Sequence, residues 1–240
     1  MTRVKSHKMF SGDFKVQSVA VSNSSLYLAL GGLDGLIEVW DYIAMSPAED
    51  LPYQAADLYM LHVKSVLALR FSRDDKLLAS GDSEGLVRVW KFADGKKLRE
   101  LEVSSGVTCL AFQASNSLVV GCLDKSVRLY GLKSGTLLKN LKGHDSFLLS
   151  VQPLADNLLL SAAEDGEMRI WNLAAEPSLL KQLKPPGKQA LFGGCQAGTG
   201  RELLVCARSV YLLDMDSGAV LQDYKSHQQE EMLLARFSGD

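Results

Sequence analysis

The sequence predicts an all-β fold of stacked four-stranded antiparallel sheets, and three observations carry that prediction. A short segment recurs five times, each copy follows two apolar runs split by a turn, and no stretch supports a long amphipathic helix. The segments are LDGLIEVW (33–40), SEGLVRVW (83–90), LDKSVRLY (123–130), EDGEMRIW (164–171) and CARSVYLL (206–213). They end on Trp40, Trp90, Tyr130, Trp171 and Leu213, at spacings of 50, 40, 41 and 42 residues. A sheet with apolar residues on both faces cannot stand alone in water. Copies must stack face-on, which makes a β-propeller.

The first and second strands of each unit read from VQSVAVSNSSLYLAL, VLALRFSRDDKLLAS, VTCLAFQASNSLVVG and LLSVQPLADNLLLSA. Alternating apolar residues broken by Asn, Asp and Ser mark strand, turn, strand. The recurring segment supplies the third strand. FADGKKLREL, LKSGTLLKNL and LAAEPSLLKQL supply a turn and a fourth. Four units carry an acid six residues before the third strand ends: Asp34, Glu84, Asp124 and Asp165. The fifth has Ala207 there and is degenerate. MLLARFSGD (232–240) repeats the LRFSRD of 69–74 and reads as the opening strand of a sixth unit.

The fourth unit is clearest. Gly143-His144 opens it, Ser161 lies in its second strand, Asp165 in the next turn, and Trp171 ends the third. This is the WD-repeat pattern, and that resemblance implies a hydrogen-bonded chain of His to Asp, Ser to His and indole to Ser. Each group is costly to bury alone, and the chain pairs them all. The second unit repeats it with His62, Ser80, Glu84 and Trp90, while the third has Tyr130 and no histidine, which implies a weaker lock. The reading is one WD-repeat β-propeller domain over 1–240, with 1–13 as an N-terminal strand or lead-in and the C-terminal repeats incomplete. WD-repeat propellers usually close with seven blades of roughly 40 residues, and an unclosed ring exposes sheet edges that invite another chain or copy.

Composition narrows the function classes. Hydrophobic residues at 47% and charged residues at 22% fit a folded chain with a real core. The formal net charge of −2 excludes a globally basic nucleic-acid binder. No apolar run approaches the roughly 18 residues of a membrane span, and the start lacks the apolar segment of a secretion signal. Cys109, Cys122, Cys195 and Cys206 form no CxxC pair, so reduced thiols are expected and no metal or cofactor site is read.

Several motifs tempt a catalytic reading. GDSEG (81–85) fits G-x-S-x-G, but that elbow needs a following helix and LVRVW is a strand pattern. His144, Ser161 and Asp165 are triad types, yet the repeat buries them, so no enzyme is expected. GGCQAGTGR (193–201) resembles a phosphate cradle without its GK[ST] ending. Asn23-Ser24-Ser25 is a glycosylation sequon, and KPPGKQ (184–189) reads as an interblade loop. Lys5, Lys8, Lys15 and LKSGTLLKNLKGH carry positive charge, which reads as solvated surface, with RNA contact as the alternative.

GLIEVW (35–40), PYQA (52–55), FSRDDKLLASGDSEGLVRVWKF and GLKSG…GH (131–144) also resemble the WD-repeat domain of the Smu ("suppressor of mec and unc") family of splicing factors. The likeness covers residues 13–185 and is loose from 190 to 240. It implies a nuclear, non-catalytic scaffold in pre-mRNA splicing, working in the precatalytic spliceosome with RED as partner. That family's N-terminal LisH and CTLH modules and its C-terminal blades are not read here. The partner-binding positions expected on the narrower face are Phe14, Lys64, Ser83, Leu123, Phe147 and Glu164. Phe147 is the leading anchor, with packing into a neighbouring blade as the alternative. Glu164 reads as solvent-facing. A second reading is a substrate receptor of a cullin-type ubiquitin ligase. Tyr42, Phe92 and Leu173 stand where such receptors carry Arg or Lys, which argues against it.

Overall fold

The computed structural model describes residues 15–43, 46–48, 60–113, 116–154, 157–176, 178–184, 193–196, 202–206 and 210–224. Those residues hold five antiparallel sheets in two compact units, Met1–Glu102 and Val103–Asp240. The expected lead-in at 1–13 and the opening strand at 232–240 lie outside the described residues.

The first unit holds two blades. Blade one comprises β1 (Val16–Val21), β2 (Tyr27–Gly32) and β3 (Leu36–Asp41). Its fourth place is shared by β4 (Ser46–Pro47) and β5 (Met60–Leu61). Trp40 at one end of β3 pairs with Pro47, and Leu36 at the other pairs with Leu61. The extra length of the 50-residue first spacing therefore sits inside the fourth strand. The PYQA stretch, between β4 and β5 in sequence, lies outside the described residues. Blade two is β6 (Val66–Phe71), β7 (Leu77–Asp82), β8 (Leu86–Lys91) and β9 (Lys96–Glu102), paired in that order.

The second unit holds three blades of the same order. Blade three is β10 (Val107–Gln113), β11 (Ser117–Cys122), β12 (Val127–Gly131) and β13 (Leu137–Leu141). Blade four is β14 (Leu148–Pro153), β15 (Leu158–Ala163), β16 (Met168–Asn172) and β17 (Leu179–Leu183). Blade five is β18 (Gly193–Gln196), β19 (Glu202–Cys206), β20 (Val210–Asp214) and β21 (Val220–Tyr224).

Strand alternation gives every blade two unlike faces. In β8, Val87 and Val89 lie on an aliphatic face, while Arg88 and Trp90 lie on the other, the tryptophan face. Stacking follows one rule within each unit. The aliphatic face of blade one, with Ala29, Ile37 and Val39, covers Leu69, Phe71, Leu78 and Trp90 of blade two. Val119, Val127 and Leu129 of blade three likewise cover Leu148, Leu159 and Trp171 of blade four. Met168, Ile170 and Leu183 of blade four cover Tyr211, Leu213 and Met215 of blade five. Tyr27 and Phe71 meet Phe92 edge-on, with ring centroids 5.1 and 5.0 Å away. Gly31 and Gly121 permit this close approach: a Cβ on Gly31 would collide with Val66, and one on Gly121 would reach Leu148 Cβ at 3.2 Å.

Polar links cross the same junctions. Asp75 of blade two accepts hydrogen bonds from the Asn23 N–H (2.7 Å) and the Ser24 N–H (2.7 Å) of blade one. The Asn23 side-chain amide donates to Ser72 O (2.8 Å) and Asp75 Oδ1 (2.9 Å), so the sequon asparagine is engaged between blades. Lys139 on β13 reaches into blade four, donating to Ala175 O (3.1 Å) and Ser178 Oγ (3.1 Å). Lys181 on β17 does the same toward blade five, donating to Met215 O (3.1 Å) and Asp216 O. Lys139, within the basic LKSGTLLKNLKGH stretch, is therefore committed to a junction rather than to open solvent.

Candidate interaction surface

One backbone bond recurs at the turn between second and third strands. The N–H of Leu33, Ser83, Leu123 and Glu164 donates to the carbonyl of Lys15, Ser65, Gly106 and Phe147, at 2.9, 3.0, 2.9 and 3.1 Å. Each bond clamps a turn to the segment entering the first strand of its own blade. The turn is fixed by the backbone, so its side chain is free to vary. Ser83, Leu123 and Glu164 thus share one structural position, and Phe147 supplies one of the clamping carbonyls. Phe14 lies outside the described residues.

The side chains at these clamps divide by unit. In the first unit Leu33 and Val63 are exposed, and Lys64 pairs with Glu84 at 2.7 Å in open solvent. In the second unit Leu123 and Phe147 are exposed. Leu33 and Val63 escaped the reading of the sequence. Their signal was available: an apolar residue in a turn that neither strand pattern buries. Glu164 is exposed, but it accepts a hydrogen bond from Ser146 Oγ (2.9 Å), joining the turn to the entering segment.

Beneath the clamps lie the buried polar chains, and they differ from expectation. In blade two, His62 Nδ1–H donates to Asp82 (2.9 Å), Ser80 O–H donates to His62 Nε2 (2.7 Å), and the Trp90 indole donates to Ser80 Oγ (2.8 Å). The acid is therefore Asp82, not Glu84. Asp82 sits at the end of β7, 2% exposed, and its other oxygen accepts the N–H of Glu84 and of Leu86. Glu84 faces solvent and pairs with Lys64 instead.

In blade four, Ser161 O–H donates to His144 Nε2 (2.7 Å) and Trp171 donates to Ser161 Oγ (2.7 Å). Asp165 does not join. It accepts its own turn's Glu167 N–H (3.0 Å), and His144 Nδ1 is buried without a partner. Ala163 occupies the place of Asp82, since Ala163 pairs with Leu148 as Asp82 pairs with Val66. The recurrent acid is a turn-former: Asp34 and Asp124 likewise accept the N–H two residues on, at 3.1 and 3.2 Å.

Burial lowers the pKa of His62 even with Asp82 beside it. Burial, helped by the nearby Arg169, pushes that of His144 down to about 4. Both rings are neutral at neutral pH, with the Nδ1 proton implied by their partners.

Blade three replaces the chain completely. Val120 pairs with Arg128 as Ser80 pairs with Arg88, and Cys122 pairs with Val107 as Asp82 pairs with Val66. With Val103 at the histidine position and Tyr130 at the tryptophan position, four buried residues stand in for the network. No histidine or serine of the chain is left stranded by the exchange. Burial also pushes the Cys109 thiol up to about 12, so it stays a thiol.

The tempting nucleophiles fail on geometry. Ser161 is fully buried beneath Trp171, and no carboxylate orients its histidine. Ser83 is followed by β8, a strand where the hydrolase elbow needs a helix. Of GGCQAGTGR only Gly193–Gln196 is described, and it is strand β18; of KPPGKQ only Lys184 is described, and it pairs with buried Glu167 at 3.0 Å.

The repeat geometry has a direct counterpart among known proteins. The family described as "WD domain, G-beta repeat" (WD40) matches residues 3–41, 58–91, 95–131 and 135–172, more than half of the chain. The chain belongs to the WD40 repeat family. The fifth blade, β18–β21, extends the same plan beyond the matched repeats.

Among relatives of this WD40 chain is the U3 small nucleolar RNA-associated protein 21 homolog of Schizosaccharomyces pombe. It is 26% identical over 161 residues, which is 66% of this chain and 17% of that protein. The E3 ubiquitin-protein ligase COP1 of Arabidopsis thaliana is 25% identical over 151 residues, 61% of this chain and 21% of that protein. Protein SPA1-RELATED 3 of Arabidopsis thaliana is 23% identical over 154 residues, 63% of this chain and 17% of that protein. The chain thus spans about a fifth of the length of these relatives. The crystal structure of the computationally designed Ika8 protein superposes with a TM-score of 0.72 at 27% identity, covering 92% of this chain and 65% of that one.

Proposed function

We propose that this WD40 chain is a non-catalytic scaffold in nuclear pre-mRNA splicing, of the Smu type, with a RED-type protein among its partners. The observation that carries the scaffold reading is the repeated clamp, which presents Leu33, Leu123 and Phe147 as exposed apolar side chains on fixed backbone. The splicing assignment is supported by the Smu-like GLIEVW and GLKSG…GH stretches. Two relatives named as U3 small nucleolar RNA-associated proteins, from Schizosaccharomyces pombe and Saccharomyces cerevisiae, support a role in RNA processing more broadly.

Co-purification of the tagged chain from nuclear extract tests the reading. Splicing proteins should be recovered with the wild type and lost with Leu123→Glu/Phe147→Glu, while both melt at the same temperature. Absence of the protein from nuclei, or recovery indifferent to the substitution, would refute it.

The second reading, a ubiquitin-ligase substrate receptor, gains from COP1 among the relatives. Against it stand Tyr42, Phe92 and Leu173 at the positions where such receptors carry a basic residue. In blade two that position is closed, because Phe92 is buried against Phe71 and Tyr27. Recovery of a cullin adaptor instead of splicing proteins would favour this reading.

A further inference from the structure

Blades two and four hold their histidine, serine and tryptophan alike. The Ser-to-His and indole-to-Ser distances are 2.7 and 2.8 Å in blade two, and both are 2.7 Å in blade four. The His and Trp ring centroids lie 6.5 and 6.2 Å apart. Beyond the histidine the blades part. In blade two the Asp82 carboxylate gathers donors from two segments: His62 Nδ1–H on one oxygen (2.9 Å), and the Glu84 and Leu86 N–H groups on the other (3.0 and 2.9 Å). In blade four Ala163 holds that place. His144, 5% exposed, keeps an unpartnered Nδ1. Asp165 corresponds to Glu84, because Gly166 and Gly85 follow them and donate to Ala163 O and Asp82 O. The Asp165 N–H has no acceptor among the described residues, while the Asp165 carboxylate takes the Glu167 N–H. Two donors that blade two joins on one carboxylate are thus both unpaired in blade four.

We propose that blade four binds a small carboxylate anion, of the size of formate, between His144 Nδ1–H and the Asp165 N–H. Aspartate differs from alanine by one carboxylate group, and formate has the same carbon and oxygens. The anion would accept both donors as Asp82 does in blade two, and hydrogen bonds to an ionised acceptor are the stronger kind. A cation is at hand: the Arg169 guanidinium lies against Gly143, next to His144, and 5.9 Å from the Trp171 ring centre. Buried Glu167 is shared between Arg169 and Lys184. Asp145 and Asp165 oppose the anion, which keeps its affinity low, on the order of millimolar. Blade three offers no such pair, since its Asp124 N–H donates to Ser105 Oγ (3.0 Å) and Val103 stands at the histidine position.

The carboxylate has two sources, a free anion or an acidic side chain of another protein. Gly143 and Asp145, on either side of His144, are exposed, so solvent is one residue away, yet Ala163 is fully buried. So narrow an approach favours the free anion, because an acidic side chain must bring its backbone with it. The site belongs to blade four alone and owes nothing to the splicing reading.

Thermal melting of the 240-residue chain in sodium formate, against sodium chloride at equal ionic strength and pH 7, tests the site. Formate should raise the wild-type melting temperature by about 2–4 °C once it exceeds its dissociation constant severalfold. Ala163→Asp supplies the carboxylate within the chain. It should melt above the wild type in chloride and gain nothing from formate. Asp82→Ala gives blade two the same unpaired donors, so it should melt lower and gain more from formate than the wild type does. Nitrogen-15 NMR of the histidines reads the site without reference to stability: the His144 Nδ1–H signal, identified by its loss in His144→Gln, should shift on titration with formate. No gain over chloride in the wild type, with that signal unmoved, would overturn the proposal and leave water as the partner of Nδ1. An equal gain in Ala163→Asp would overturn it too, since formate would then act elsewhere. N-acetylaspartate amide separates the two sources: stabilisation by it and not by formate would overturn the free anion in favour of an acidic side chain.

Discussion

His62 and His144 hold the same place in two blades and differ by one neighbour. His62 has Asp82, and His144 has Ala163 there and a bare Nδ1. Removing the acid from blade two should therefore cost far more than removing the residue that the repeat pattern singles out. Asp82→Ala strands a buried Nδ1–H and two turn amides, and should lower stability by about 1–3 kcal/mol. Glu84→Ala, on an exposed side chain, should stay within about 0.5 kcal/mol. Urea denaturation of the two variants separates them, and equal losses would restore Glu84 to the chain. The bare histidine also makes a pH prediction. The unfolded chain protonates this ring near 6.5 and the folded chain only near 4. Above 6.5 both states are neutral and the ring adds no pH dependence. Between 6.5 and 4 only the unfolded state takes the proton, so stability falls as pH falls, by about 3 kcal/mol across the window. His62, also lowered, acts with the same sign. His144→Gln should be less stable than wild type at pH 7 and lose less on going to pH 5, measured by urea midpoints. An equal slope in the two proteins would place the acid sensitivity elsewhere.

At the scale of strands and blades, small residues decide how closely sheets approach. Gly121, next to last in β11, lies where Leu148 of the next blade arrives. Gly121→Val should destabilise the chain by about 1–3 kcal/mol through overpacking, seen as a lower melting temperature. Survival of the wild-type melting point would mean that the two sheets have slack. Elements of this kind also show what the sequence made legible. Third strands announced themselves, because Trp40, Trp90 and Trp171 close an alternating run, and five sheets of the predicted order result. The acid of blade two was not legible. A repeat alignment equates Glu84 with Asp165, whereas the hydrogen bond is set by side-chain reach, and Asp82 at the strand end is closer. The division of blade one's fourth strand into β4 and β5 was hidden for a different reason. Two-residue strands carry no periodicity, and only the longer spacing hinted at an insertion. The lysine links were hidden because a lysine in an outer strand reads as solvated. Leu33 and Val63 were missed because the generic repeat does not specify the turn side chain.

For the molecule as a whole, repeat architecture localises the effect of damage. The apolar cluster of Ala29, Ile37, Leu78 and Trp90 is drawn entirely from the first unit, and that of Val119, Leu129, Leu159 and Trp171 entirely from the second. Repeat stability is approximately a sum of blade terms and nearest-neighbour junction terms. Trp171→Ala removes a side chain that is 3% exposed and serves both its own blade and the junction with blade three, a loss of about 3–5 kcal/mol. Under native conditions that loss should appear first as faster amide hydrogen exchange in β10–β12 and β14–β16, which line the damaged junction. Amides of β2 and β7, held by the other cluster, should exchange at the wild-type rate wherever exchange proceeds by local opening. Mass-resolved exchange of peptides from the two units reads this directly. Equal acceleration in β2, β7, β11 and β15 would mean that the chain opens as one cooperative body, and that junction terms propagate through every blade rather than stopping at the next.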